Sequence, residues 1–278
     1  FFNIRQVYFC SSNWNREDTS DVHFIQHTNN YLITTLVMSK LKIKFTKPPG
    51  PINTMTNQQV VMDKFSDWDK VPPPMPATKM VPDWFKKTKP LAGPIDSMPT
   101  IKKCPPFLDA ITSGYIIPFC STLTIKYNRD KLVTKKGAGS MFCSSHAVGQ
   151  FDKSPWKDKP VLKFASPWII ETPAGWSTFF THPLNVSTEH YQMLSGIVDT
   201  DTYRVPTNFP FLLNVQPGEE FDLTTETPMI QCIPFKRQEW EMEVGTTDWT
   251  EWDTHQNVLG SAGDEAYKKN FHIKKKFS

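Results

Sequence analysis

The sequence predicts an all-β domain over about residues 100–236, and three observations carry that prediction. From Val161 to Phe235 the chain repeats strand, turn, strand, with the spacing that is typical of β-sandwiches and barrels. Proline outnumbers glycine by 24 to 12, and strand edges, turns and extended arms tolerate proline better than helix interiors do. The 20 Phe, 9 Trp and 7 Tyr supply bulky core material at an apolar fraction of 38%, which argues for a folded chain.

Two stretches precede this predicted domain. Residues 1–37 contain no Lys, Gly or Pro, although the whole sequence holds 12 Gly and 24 Pro. We predict that translation begins at Met38 and that residues 1–37 are a non-native or disordered extension; an ordinary divergent arm is the alternative. Residues 38–99 are predicted to form a proline-rich arm with one N-terminal strand. In that strand apolar Leu41, Ile43 and Phe45 alternate with Lys40, Lys42 and Lys44.

Local patterns inside the domain predict one helix and then strands. Pro106 to Gly114 has an apolar face and a glycine where helices commonly end. Val161–Ile170 and Trp176–Phe180 are predicted to pair as a hairpin through the turn Thr172–Gly175. The remaining predicted strands are Tyr115–Cys120, Thr122–Tyr127, Phe209–Val215 and Met229–Phe235.

Residues 237–278 are predicted to form a tail rich in tryptophan and basic residues. Trp240, Trp249 and Trp252 lie among acidic side chains. A short helix is predicted from Asp264 to Phe271, because it begins with an acid and carries lysines towards its end. The lysine cluster favours a solvated tail; a contact with nucleic acid or an acidic partner is the alternative.

Charge and cysteine content exclude several classes of protein. The net charge of +3 is too mild to indicate nucleic-acid binding. The five cysteines are widely spaced and form no CxxC pair, so neither a zinc site nor a disulfide framework is predicted, and a reducing, cytoplasmic setting fits. No apolar run reaches the roughly 18 residues that a membrane-spanning helix needs.

The carboxylate pair Asp199 and Asp201 is the best candidate site. If the chain is extended there, both side chains lie on one face, since strand side chains alternate. Two acids on one face can bind a divalent cation, accept hydrogen bonds from a sugar hydroxyl or orient a water molecule. The alternative is that one carboxylate caps the turn at Thr200–Thr202 and the other is solvated.

The histidines near this pair are weaker candidates for a functional site than the two carboxylates. A metal site built from His182, His190 and Asp199 is one reading, but single histidines beside β-turns are more often structural. His146 follows Ser144 and Ser145, yet no Gly-x-Ser-x-Gly elbow supports a nucleophile there. We therefore predict no metal site.

Seven motifs between roughly residues 80 and 245 carry a resemblance to a known family. They are Trp84, Cys104-Pro-Pro-Phe-Leu-Asp-Ala110, Gly114-Tyr-Ile-Ile-Pro118, Pro167-Trp-Ile-Ile-Glu-Thr-Pro-Ala-Gly-Trp176, His182-Pro-Leu-Asn185, Gly196-Ile-Val-Asp-Thr-Asp201 and Pro234-Phe-Lys-Arg237. Together they resemble an uncharacterised family, a domain of unknown function found in T4-like marine phages and in bacteria. The resemblance implies a phage or bacterial source. It implies no mechanism, because the family has no established activity.

A second resemblance is to trimeric dUTPases. Gly196-Ile-Val-Asp-Thr-Asp201 is similar to their nucleoside-binding hairpin, Thr227-Pro-Met-Ile-Gln231 to the strand that follows, and Ile170–Trp176 to an earlier hairpin. This resemblance implies a β-clip or jelly-roll-like barrel, a homotrimer, and Asp199 at the position of the water-activating aspartate. It also places Gln231 at the position of the family's strand glutamine. Together with Gln231, we predict Asp201, Tyr203, His182 and Asn185 as ligand-binding residues around Asp199.

Departures from the dUTPase pattern argue against the reaction. The phosphate-binding Arg-Ser-Gly motif is replaced by His182-Pro-Leu184, no Arg-Gly-x-x-Gly-Phe-Gly arm occurs near the C-terminus, and Ile116 stands near the position of a metal-ligating aspartate. A pyrophosphatase needs cations and a metal to neutralise its phosphates. The residues argue more against an enzyme than for one, and no cofactor is expected; Mg²⁺ would be needed only by a nucleotide-processing enzyme.

The sequence thus predicts a cytoplasmic phage or bacterial protein that binds a small molecule, a nucleotide or a partner near Asp199 and Asp201 and does not contact membranes. A virion structural or assembly protein is the first alternative. A divergent nucleotide-processing hydrolase, with His182 in place of the missing arginine, is the second.

Overall fold

The computed structural model describes residues 40–48, 68–93, 98–129, 133–146 and 148–278. The predicted extension over residues 1–37 and the predicted start at Met38 lie outside these ranges. The described chain is mostly β, with several small antiparallel sheets and few helices. That confirms the all-β class in its general form.

Sixteen strands are present in the described ranges. They are β1 Lys44–Thr46, β2 Met75–Pro76, β3 Leu91–Ala92, β4 Met98–Pro99, β5 Tyr115–Pro118, β6 Leu123–Tyr127, β7 Val133–Lys136, β8 Cys143–Ser145, β9 Val161–Ala165, β10 Ile169–Glu171, β11 Trp176–Thr181, β12 Tyr191–Met193, β13 Gly196–Val198, β14 Asn208–Leu213, β15 Glu220–Leu223 and β16 Pro228–Lys236. The α-helices are α1 Asp83–Lys87, α2 Pro105–Thr112, α3 Trp249–Ala262 and α4 Ala266–Asn270.

Two sheets carry most of the architecture. A five-stranded sheet has the order β13-β11-β16-β5-β2, and a four-stranded sheet has the order β12-β14-β9-β8. A three-stranded sheet, β15-β6-β7, and the pairs β1-β10 and β3-β4 complete the set. Strands such as β6 and β15 alternate buried and exposed side chains, as expected where one face of a sheet covers a core.

A single aromatic-rich core lies between these sheets. Phe119, Phe164 and Phe142 form its centre, with ring centroids 5.1 Å apart for the first pair and 5.9 Å apart for the second. Phe211 and Ile117 are completely buried beside them. Because the same cluster draws on the five-, four- and three-stranded sheets, burial of apolar surface holds the sheets together.

The predicted hairpin of Val161–Ile170 with Trp176–Phe180 is wrong. The first segment splits into β9 and β10, because the Ser166 hydroxyl bonds both the amide (3.0 Å) and the carbonyl (2.9 Å) of Trp168 around Pro167. β9 then pairs with β8 and β14, whereas β10 pairs with β1. The turn at Ser166–Trp168 therefore moves the chain from the four-stranded sheet to the β1–β10 pair.

The tail contains a helix that sequence patterns missed. α3 runs for 14 residues from Trp249, although only Asp264–Phe271 was predicted as helix. The Asp248 carboxylate caps α3 by accepting hydrogen bonds from the amides of Thr250 (2.8 Å) and Glu251 (3.2 Å). Asp248 before α3 and Gly263 after it were the available signals. No helix in the described ranges is long and apolar enough to span a membrane.

Gly114 ends α2, as the sequence predicts, and its position has no room for a side chain. Its φ is +69°, and a Cβ there would lie 2.0 Å from the Cys232 carbonyl oxygen of β16. We expect Gly114→Ala to lower the free energy of unfolding by about 2–4 kcal/mol, from left-handed strain plus the clash. Urea denaturation of both proteins measures the difference.

Gly175→Ala is the matched control for this substitution. Gly175 also has a positive φ, +80°, but a Cβ there would meet no atom within 4 Å. We expect a loss of only about 1–2 kcal/mol from backbone strain. Equal losses for the two variants would contradict the close approach of Gly114 to β16.

Candidate functional site

The two predicted carboxylates meet at one arginine. Arg237 directly follows β16 and donates from Nη1 to Asp201 Oδ1 (3.0 Å) and from Nη2 to Asp201 Oδ2 (2.5 Å). Nη1 also lies 3.3 Å from Asp199 Oδ1. A bidentate guanidinium–carboxylate pair is among the stronger charge-assisted hydrogen bonds.

Asp201 is held from a second side as well. Its Oδ2 accepts a hydrogen bond of 2.8 Å from the amide of Gly175, and the Gly175 carbonyl in turn accepts one from the Arg237 amide at 2.8 Å. The Asp201 side chain is only 7% exposed. The arginine, ahead of the Gly175 amide, holds the pKa of the Asp201 carboxyl at about 2, against an ordinary 3.8.

Asp199 lies in a more open position. Its side chain is 60% exposed, and its Oδ1 accepts a 2.6 Å hydrogen bond from the Ser177 hydroxyl. The β11–β13 register explains this contact, since the last pair is Thr178 with Val198, and Ser177 and Asp199 are the residues directly beyond that pair. Asp199 Oδ2 makes no hydrogen bond within the described residues, so it is available to a ligand.

A turn, and not strand alternation, brings the two carboxylates together. β13 ends at Val198, and the Asp199 carbonyl accepts hydrogen bonds from the amides of Thr202 (3.1 Å) and Tyr203 (2.8 Å). Between the acids, the buried Thr200 hydroxyl contacts the hydroxyls of Thr172 (2.7 Å) and Thr178 (2.8 Å). These hydroxyl contacts fix the turn against β11.

Gln231 is buried and its amide is fully engaged. Its Oε1 accepts from the Leu184 amide (2.8 Å), and its Nε2 donates to the carbonyls of Ala110 (3.0 Å) and Ser113 (2.7 Å). The side chain thus joins the end of α2 to the loop after β11. Its predicted ligand-binding role stays a prediction, whereas its structural role is visible.

His182 is also held within the protein. Its Nδ1 accepts from the Met193 amide at 3.3 Å, and its Nε2 lies 3.4 Å from the Thr188 hydroxyl. Burial lowers the pKa of His182. The imidazole is therefore neutral near pH 7.

The other predicted positions are at the surface. Asn185 occupies a turn with φ +58° and is exposed. The Tyr203 side chain is 45% exposed and follows the Asp201 turn. The Tyr203 amide bonds the Asp199 carbonyl, but within the described ranges neither side chain makes a hydrogen bond to the Asp199 or Asp201 carboxylate.

The histidine alternatives find no support in the described part of the chain. No group there of three or more His, Cys, Asp or Glu side chains can hold a metal ion. His190 stacks on Phe221 with ring centroids 4.8 Å apart. His146 packs edge-on against Phe151 at 5.1 Å.

Arg237 is the functional residue that reasoning from the sequence missed. It appeared only as the last residue of Pro234-Phe-Lys-Arg237 in the resemblance to the phage family. The available signal was an arginine immediately after a long strand, in a chain where Asp199 and Asp201 had no assigned cation.

Comparisons with known proteins find only weak likeness. No protein-family model matches the chain, so membership in the uncharacterised phage family stays a prediction. No curated protein matches it by sequence. A solved structure of a mutant dUTPase from phage phi11 of S. aureus, which coordinates a structural Mg(II) ion, shares 11% identity over 49% of this chain and 85% of its own, at a TM-score of 0.30.

A Staphylococcus bacteriophage 80alpha dUTPase mutant with dUpNHpp shares 10% identity over 49% of this chain and 87% of its own, at a TM-score of 0.28. Likeness this weak assigns neither an activity nor a site residue to this chain.

The Asp201–Arg237 pair makes the free energy of unfolding depend on pH in the acidic range. The unfolded carboxyl, with a pKa near 3.8, takes up a proton before the folded one, whose pKa is about 2. The contribution of Asp201 to stability is therefore complete above about pH 4 and is lost as the pH falls towards about 2. We expect Asp201→Asn to flatten this part of the profile of unfolding free energy against pH.

Asp199→Asn is the control, because its side chain is 60% exposed and its arginine contact is the longer one, at 3.3 Å. Urea midpoints at pH 2.5, 3.5 and 6 (roughly the limits of the window) would give the profiles. An Asp201→Asn profile parallel to that of the unmodified protein would contradict the assignment.

Proposed function

We propose that the protein is a non-catalytic binding protein of phage or bacterial origin, with a β-clip, dUTPase-like fold, that takes a nucleoside-like small ligand beside Asp199. The single observation that carries the proposal is the unequal state of the two carboxylates. Asp201 is neutralised by Arg237, whereas Asp199 presents a free oxygen in a side chain that is 60% exposed. A cytoplasmic location and a homotrimer belong to the same proposal.

The state of Arg237 argues against hydrolysis of a triphosphate. Its Nη1 and Nη2 donate to Asp201, and Nη1 also meets the Trp176 carbonyl (3.1 Å) and the Ser177 hydroxyl (3.0 Å). A guanidinium with these partners offers little to phosphate oxygens, which a phosphoryl-transfer site must neutralise. His182 does not replace it, because its neutral ring bonds Met193 and Thr188.

The surroundings of Asp199 favour a neutral or cationic ligand with an apolar face. Ile197, Tyr203 and Val205 are 63%, 45% and 49% exposed and lie within six residues of Asp199 in the chain. A carboxylate oxygen accepts hydrogen bonds from hydroxyl or amino groups, and a tyrosine ring stacks on planar groups. A nucleoside offers both kinds of group without the charge of a triphosphate.

A second candidate function is assembly, and one observation favours it. Trp240, Met242 and Val244 follow Arg237 and are 85–87% exposed. Large apolar side chains in such an exposed run commonly mark a surface that another chain covers.

Thermal shift with deoxynucleosides and deoxynucleoside triphosphates, each with and without Mg²⁺, tests the binding proposal. We expect nucleosides to raise the melting temperature, because a ligand that binds only the native state stabilises it by about 3 kcal/mol at a hundredfold excess over Kd. We expect no release of pyrophosphate from any triphosphate. Asp199→Asn should abolish the shift.

Asp222→Asn provides the matched control. Asp222 Oδ1 accepts a 2.6 Å hydrogen bond from the Thr124 hydroxyl, much as Asp199 accepts one from Ser177, but it lies on β15. This variant should keep the nucleoside shift. Pyrophosphate release that disappears in Asp199→Asn would instead establish the hydrolase alternative.

A further inference from the structure

The segment Glu239–Val244, here termed the acidic strand segment, has the pattern of a β-strand without a sheet. Glu239, Glu241 and Glu243 alternate with Trp240, Met242 and Val244. Period-two alternation of this kind is typical of a strand with one buried face. Yet all six residues are exposed, and no strand is assigned to them.

Folded structure holds the chain on both sides of this segment. Before it, Arg237 is fixed by Asp201 and by the carbonyl of Gly175. After it, the C-terminal residues return to α2, where Asp109 Oδ2 accepts from Lys275 Nζ (2.7 Å) and lies 3.0 Å from His272 Nε2. The acidic strand segment therefore lies between two parts of the chain that are held by hydrogen bonds.

The edge of β1 has the complementary pattern. Ile43 and Phe45 pack against the core, while Lys44 is exposed. In the sequence the alternation continues back through Lys42 and Lys40. Among the described edge strands, β1 alone alternates lysine with apolar residues.

β1 is also paired on one side only. It pairs with β10 through Lys44↔Glu171, Phe45↔Ile170 and Thr46↔Ile169, and its two-stranded sheet has no further member in the described ranges. Exposed strand edges carry unpaired amide and carbonyl groups and readily accept another strand. A strand added there extends the sheet and places one of its faces beside Ile43 and Phe45.

We propose that the acidic strand segment of one copy of this protein adds to β1 of a second copy, at the edge that has no strand partner within the described ranges. Its glutamates would face Lys42 and Lys44, and its tryptophan, methionine and valine would continue the apolar face of β1. Opposite charges on neighbouring strands stabilise such a pair, and like charges destabilise it.

The exposure of the segment rules out β1 of its own chain as the partner, and the complementary charge patterns favour β1 of a second copy. At 85–87% exposure, Trp240, Met242 and Val244 do not pack on β1 of their own chain. Every other copy carries the same edge. Reciprocal or cyclic exchange then covers each segment and each edge, which closes the assembly. The proposal is independent of any ligand at Asp199.

Charge reversal with multi-angle light scattering tests this contact. The unmodified protein should have a mass that is a multiple of 32.0 kDa. Glu241→Lys/Glu243→Lys and Lys42→Glu/Lys44→Glu should each reduce the mass to one chain, because each places like charges on the paired strands. The variant with all four substitutions should associate again.

Glu251→Lys/Asp253→Lys, on exposed residues of α3, is the matched control for Glu241→Lys/Glu243→Lys, because both variants change the net charge by the same amount. It should associate as the unmodified protein does. The variants that become monomeric should share one melting temperature, which shows that each of them is folded. A monomeric unmodified protein would overturn the proposal, as would reversal variants that still associate or a control that dissociates. Loss of nucleoside binding alone would leave this contact intact and contradict only the proposed function.

Discussion

The candidate site depends on the charged contact between Asp201 and Arg237. It joins three separate parts of the chain: the turn after β13, the Gly175 turn before β11, and the end of β16. Each carboxylate oxygen of Asp201 has a partner, so the nearly buried charge is compensated. Without the arginine, that charge would be left almost without solvent.

Sequence patterns anticipated the local elements and missed their pairing. Gly114 was predicted to end a helix because glycine commonly does so, and the close approach of Cys232 adds a reason that only the fold reveals. The hairpin prediction across Thr172–Gly175 failed for the opposite reason. Proximity in sequence favours pairing, but the Ser166–Trp168 turn sends β10 to β1, a partner more than a hundred residues earlier in the chain. Long-range pairing leaves no local signal.

In the candidate site, too, the local residues were predicted from the sequence and their long-range contacts were not. Residue types and spacing were sufficient to single out Asp199 and Asp201, whereas the counter-ion Arg237 lies 36 residues away from Asp201 and no spacing rule connects them. Gln231 and His182 were selected as polar residues with ligand-binding potential. The fold uses their hydrogen-bonding atoms on backbone groups and a hydroxyl. A buried amide or imidazole left unpaired costs about 1–3 kcal/mol, so internal partners are the usual outcome for such residues.

At Arg237 the chain changes from a paired, buried strand to a segment whose apolar side chains are exposed. On its N-terminal side, β16 pairs with both β5 and β11 and buries Met229 and Ile230 completely. On its C-terminal side, six residues repeat the alternation of a strand while their apolar side chains remain in solvent. An exposed alternating strand and an exposed, lysine-bearing edge are each a hazard for non-specific association. Placing glutamates on one and lysines on the other limits that hazard, because each then pairs favourably with its complement and repels its own kind. The charge pattern thus favours one specific contact and disfavours indiscriminate stacking.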